Sequence, residues 1–126
     1  MDDILYKEYI LDIYRHPLNK KVLADFDAEA REFNPLCGDD ITVQIKFDRE
    51  GRAADIGYQI MGCAISQAAA SLITEEVKGK DKAVIAHMGL KNITDLLGME
   101  IIPIRVQCAL LGLKAIQFAI GDRRWK

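Results

Sequence analysis

The chain has 126 residues, half of them apolar and 29% charged. That length fits one domain over residues 1–126, able to bury a core without disulfide staples. Lys and Arg number 17 against 19 Asp and Glu, a net charge of -2 that argues against a strongly basic nucleic-acid binder. No apolar run approaches the roughly 18 residues of a membrane-spanning helix.

The first residues, Met1-Asp2-Asp3, are acidic, where a secretory signal starts basic and turns apolar. The expected compartment is therefore the cytoplasm. Residues 3–16 place Ile4, Leu5, Tyr9, Ile10, Ile13 and Tyr14 three and four apart, the stripe of an amphipathic helix, and Pro17 stops it. Residues 18–36 are mixed and polar, with a short strand expected around Val22-Leu23-Ala24 and a turn from Phe33 to Asp40. Ile41, Val43, Ile45 and Phe47 alternate with polar residues as a half-buried strand does. Residues 48–52 form a hairpin loop, and a second strand follows over 53–61. The Ala-rich stretch 64–77 predicts a helix ended by Lys78-Gly79-Lys80. Shorter helices are expected at 80–87 and 90–97, and a last amphipathic helix over 106–120. Strands followed by helices suggest an α+β fold, helices packed on one face of a small antiparallel sheet.

Three cysteines, Cys37, Cys63 and Cys108, cannot all pair within one chain. Each falls at the edge of an expected element. Cys37 lies in a loop, where Gly38 can turn Cys37 and Asp39 towards one point. Cys63 and Cys108 lie at helix N-termini, where the partial positive charge favours a thiolate. Three thiolates and a carboxylate suit zinc or an iron cluster. Unpaired cysteines also serve as buried apolar filler, and there is no CxxC pair, so inert thiols, reactive thiols and metal ligands all stay open. Met61, just before Gly62-Cys63, is expected to keep the site dry. His16 and His87 are expected to be structural or at the surface, and Arg123-Arg124-Trp125-Lys126 forms a short basic tail.

The segments around the cysteines are more specific than their spacing. Asn34-Pro35-Leu36-Cys37-Gly38-Asp39 resembles the N-P-x-C-G-D loop of the iron–sulfur cluster assembly scaffold family (IscU, SufU and NifU N-terminal type). Gly62-Cys63-Ala64-Ile65-Ser66-Gln67-Ala68-Ala69-Ala70-Ser71 is similar to its G-C-x-I-S-x-A-S-x-S segment. Arg105-Val106-Gln107-Cys108-Ala109-Leu110-Leu111-Gly112-Leu113-Lys114-Ala115 is similar to R-x-K-C-x-x-L-x-x-K-A, and Tyr14 to Asn19 to Y-x-x-P-x-N.

The resemblance implies a three-stranded sheet with helices against it. It implies that Cys37, Cys63 and Cys108 accept persulfide sulfur from a cysteine desulfurase. Together with Asp39 they would hold iron in a labile [2Fe-2S] cluster that passes to apo iron–sulfur proteins. Zinc occupies this site in some members. A carboxylate is a harder ligand than a thiolate, so Asp39 would ease release. The alternative is a zinc-bound sulfur acceptor that stimulates a desulfurase. A structural zinc domain without sulfur transfer is the third class. Two departures stand out. Gln107 replaces the His of the Isc type and the Lys of the Suf type. Ile101-Ile102-Pro103-Ile104-Arg105 keeps little of the chaperone-docking L-P-P-V-K stretch, which weakens the case for chaperone docking.

Overall fold

Three antiparallel strands in the order β1-β2-β3 carry the helices of an α+β fold. The computed structural model describes residues 3–121, with side chains from Glu8 onward, so the basic tail lies outside the described residues. In chain order the elements are α1 (Asp3–Arg15), β1 (Ala28–Asn34), β2 (Asp39–Phe47), β3 (Ala53–Met61), α2 (Ala64–Val77), α3 (Lys82–Ala86), α4 (Leu90–Leu97) and α5 (Val106–Ala119), with a single 3-10 turn at Pro103–Arg105.

The period-two pattern of β2 places Ile41, Val43 and Ile45 on the inner face with no exposed surface. Ile56 and Ile60 of β3 join them. Burying each such side chain contributes roughly 1.5–3 kcal/mol before ordering costs. α5 lies against β1, β2 and α2, and its Ala109, Leu113, Ala115 and Ile116 have no exposed surface. The Ala-rich face of α2 allows the close approach to α5, with Ala68 and Ala70 fully buried. The buried polar side chain of Gln117 is satisfied, because Nε2 donates to the carbonyls of Ile85 and Met88 at 3.0 Å each.

The short strand expected at 22–24 does not form, and the segment 28–34, read as mixed and polar, is β1 instead. The chain at 18–23 is a strap. Leu18 N–H donates to Ser71 Oγ at 2.7 Å, the Asn19 carbonyl accepts from Tyr58 N–H at 3.2 Å, and Leu23 N–H donates to Gln44 Oε1 at 2.9 Å. Its backbone groups are therefore partly satisfied by α2, β3 and β2, without a ladder of its own. Val22 is left exposed.

β1 and β2 are joined by a four-residue loop. Asn34 pairs with Asp39 across the ladder, and Gly38 N–H closes the loop on the Asn34 carbonyl at 2.8 Å. Gly38 sits at φ +74°, a left-handed backbone that favours glycine. This loop carries Cys37.

Candidate metal and sulfur site

Cys37, Asp39 and Cys108 meet at one point. One ligand atom of each lies within 4.8 Å of the others, although Cys108 is 71 residues from Cys37. The hairpin loop supplies Cys37, the first residue of β2 supplies Asp39, and the first turn of α5 supplies Cys108. Cys37 is exposed, while Asp39 and Cys108 are buried. The site therefore has a covered floor and one open thiol.

The two Sγ atoms of Cys37 and Cys108 stand 3.1 Å apart, well beyond a bonded disulfide, and both thiols are free. Zinc held at about 2.3 Å by two thiolates in a tetrahedron keeps them roughly 3.8 Å apart, so a small opening of this pair accommodates it. Asp39 supplies the clearest sign of fit. Its Oδ1 accepts from Cys63 N–H at 3.2 Å, while its buried Oδ2 has no hydrogen-bond partner. A buried carboxylate oxygen left without a donor costs free energy, which a cation removes. Soft sulfur and hard oxygen together suit zinc or cluster iron.

Cys63 is placed differently. It caps α2 through its side chain, with Ser66 N–H donating to Sγ at 3.5 Å and the thiol 3.7 Å from Ser66 Oγ. Ser66 Oγ donates in turn to the Cys63 carbonyl at 2.9 Å. Cys63 is thus outside the three-residue group, yet tied to it through its own N–H on Asp39. The backbone turn that makes this possible contains Gly62. A β-carbon there would sit 2.7 Å from Asp39 Oδ1 and would also strike Ser66 Oγ.

Helix position alone suggests a thiolate at Cys108, and the structure corrects this. Burial pushes the Cys108 thiol well up, and the neighbouring Cys37 and Asp39 push the same way. Dipole stabilisation in the first turn is smaller than the cost of charging a sulfur with no exposed surface. Cys108 would therefore lose its proton to solvent readily only when a cation takes the proton's place on sulfur. Arg105 stands beside it, and the sulfurs of Cys108, Cys63 and Cys37 hold its guanidinium further up. The arginine brings positive charge to the rim of the site.

Gln107 Oε1 accepts from Lys114 Nζ, so the residue at the alternative ligand position is engaged elsewhere on α5. Met61 is 76% exposed and does not shield the site. Its side chain alternates to the outer face of β3, away from the core. Both histidines are exposed, and His87 Nδ1 lies 2.7 Å from the Ala83 carbonyl. Sequence reasoning assigned no role to Ser66, Gly62 or Asn34, whose Nδ2 donates to Cys108 Sγ at 3.6 Å. All three stand inside the motif segments, and that was the available signal.

The family profile described as NifU-like N terminal domain matches residues 5–126. The chain belongs to this family. A zinc-dependent sulfurtransferase SufU of Bacillus subtilis is 34% identical, over 94% of this chain and 91% of that one. An iron–sulfur cluster assembly scaffold protein IscU of Escherichia coli is 33% identical, over 96% and 95%. The crystal structure of FiSufU from Fervidobacterium islandicum superposes with a TM-score of 0.74 at 27% identity, covering 95% of this chain and 99% of that one. The architecture is thus that of the IscU/SufU-like scaffolds.

Proposed function

We propose that this chain is an iron–sulfur cluster assembly scaffold, a carrier rather than a catalyst, working as one domain over residues 1–126. Cys37, Cys63 and Cys108 accept sulfur from a cysteine desulfurase. Cys37, Asp39, Cys63 and Cys108 hold the [2Fe-2S] cargo, which passes to apo iron–sulfur proteins. The observation that carries this reading is the convergence of Cys37, Asp39 and Cys108, together with a buried Asp39 oxygen that has no hydrogen-bond partner.

The residues divide the work. Exposed Cys37 is the thiol that an incoming persulfide or an acceptor reaches first. Buried Cys108 and Asp39 form the floor and keep water off it. Asp39 Oδ2 offers the weakest bond to iron of the set, and release starts there. Cys63, held on α2 by Ser66, completes the set by turning from its cap. Among the described residues no helix is long and apolar enough to cross a membrane, and the reading places the chain in the cytoplasm.

A second reading has its own observation. Three ligand atoms are gathered while Cys63 stands apart, the arrangement a zinc-bound sulfur acceptor needs for exchanging one thiol. Zinc would lower the thiol pKa values and hold the sulfurs until exchange. Anaerobic incubation with ferrous iron, cysteine and a desulfurase separates the two. A [2Fe-2S] absorption and Mössbauer spectrum, with transfer to an apo-ferredoxin, supports the scaffold. Retained zinc, no cluster and a faster desulfurase overturn it in favour of the acceptor.

A further inference from the structure

Asn34 is the last residue of β1 and is buried, with 7% relative exposure. A buried carboxamide has to place both a carbonyl and an amino group. Asn34 Oδ1 accepts from Leu36 N–H at 3.2 Å, which bends the chain into the loop bearing Cys37. That contact fixes the orientation of the amide, because a backbone N–H needs an oxygen opposite it. The amino group is then the one that faces Cys108, with Nδ2 3.6 Å from Sγ. Cys108 in turn points its own thiol at Cys37 Sγ. One side chain therefore ties the hairpin loop to the first turn of α5, across 74 residues of sequence.

We propose that Asn34 is the positioning residue of this site: it aims Cys108 at the bound metal and withdraws electron density from that sulfur through an N–H···S hydrogen bond. This rests on the reading that Cys108 is a metal ligand. Asn34 reaches Cys108 from the hairpin side, while the Arg105 guanidinium reaches the same sulfur from the rim. Such outer partners fix the rotamer of a ligand, and losing one costs about 10- to 100-fold in metal affinity. A thiolate that accepts a hydrogen bond also has lower-lying electrons, so its charge-transfer band to a metal moves to higher energy. The loop geometry and the sulfur donation are two separable jobs. Asn34→Asp keeps an oxygen for Leu36 N–H and lacks the amino donor, whereas Asn34→Ala loses both.

The test uses the full chain with Co2+ and with 113Cd2+ as probes. In the parent loaded with 113Cd2+, a scalar coupling from the metal to the Asn34 Nδ2 protons is expected, since the hydrogen bond carries it through Sγ. In Asn34→Asp and Asn34→Ala, the thiolate-to-cobalt band moves to lower energy and the cobalt Kd rises about 10-fold or more. Absence of the coupling in the parent, or a band unmoved in folded Asn34→Asp, overturns the inference. Cys108→Ser separates the two levels of argument. If it leaves the cobalt spectrum as in the parent, Cys108 is not a ligand and the proposed function loses its site. If it removes part of the band while Asn34→Asp changes nothing, only the role of Asn34 falls.

Discussion

Gly62→Ala tests the geometry on which the site depends, with a single methyl group. The added β-carbon would lie 2.7 Å from Asp39 Oδ1 and 3.1 Å from its Cγ, and would also strike Ser66 Oγ. Non-bonded carbon contacts are best at about 3.5–4.0 Å, so the carboxylate carbon has to retreat by roughly 0.4–0.9 Å. Ser66 is fully buried and Asp39 is 1% exposed, so neither has much room. The retreat stretches the 3.2 Å bond from Cys63 N–H beyond useful range and moves the carboxylate off the thiols. Overpacking of this kind costs about 1–3 kcal/mol, which urea unfolding of the metal-free chain reads directly. Zinc affinity, measured by competition with a chelator, should fall about 10-fold or more. Gly62→Ala combined with Ser66→Ala should regain part of the stability and none of the affinity. A Gly62→Ala chain that binds zinc as the parent does would refute the placement of Asp39.

Asp39→Ala should hold a reconstituted cluster on the order of 10-fold longer in the presence of an apo acceptor, because the most exchangeable ligand is gone; decay at the parent rate in absorption at the cluster bands counts against that role. Burial raises the Tyr58 hydroxyl from 10.0 to about 12, with Ser71 opposing. The folded state thus favours the neutral phenol, and the associated stability is intact below pH 10 and lost as pH climbs towards 12. The full loss is on the order of 3 kcal/mol. Tyr58→Phe should flatten the alkaline arm of a stability–pH curve by that amount, and an unchanged slope would exclude Tyr58 as its source.

How much of this was legible in the sequence depended on what each segment buries. β2 and β3 were readable because Ile41, Val43, Ile45, Ile56 and Ile60 alternate in and out of a core. α2 and α5 were readable from their small and aliphatic faces, and their ends fell within a residue of expectation. β1 was not readable. Its sequence Ala-Glu-Ala-Arg-Glu-Phe-Asn favours helix, and only Ala30 and Asn34 are buried in it. It is a strand because β2 offers an edge and α5 covers one face, which is tertiary information. The same holds at the site. The motifs named Cys37, Asp39 and Cys108, and geometry gathers them. No local pattern said that the Cys63 side chain would stand outside the group, that burial would outweigh the dipole at Cys108, or that Asn34 would reach it.

The ligands of the three-residue group come from a hairpin and from a helix near the other end of the chain, with Cys37 and Cys108 separated by 71 residues. A cation bound there closes a long loop, and the unfolded chain cannot present the same three atoms together without losing that entropy. By mass action, an ion at 100 times its dissociation constant adds about 2.7 kcal/mol to the stability of the folded state. That is a sizeable share of what a domain of this size has in total. On the proposed reading, loading and unloading would be folding events as well as binding events. A chain that had just released its ion would be a looser molecule than one carrying it, and whatever distinguishes the two by their stiffness could tell a full carrier from an empty one.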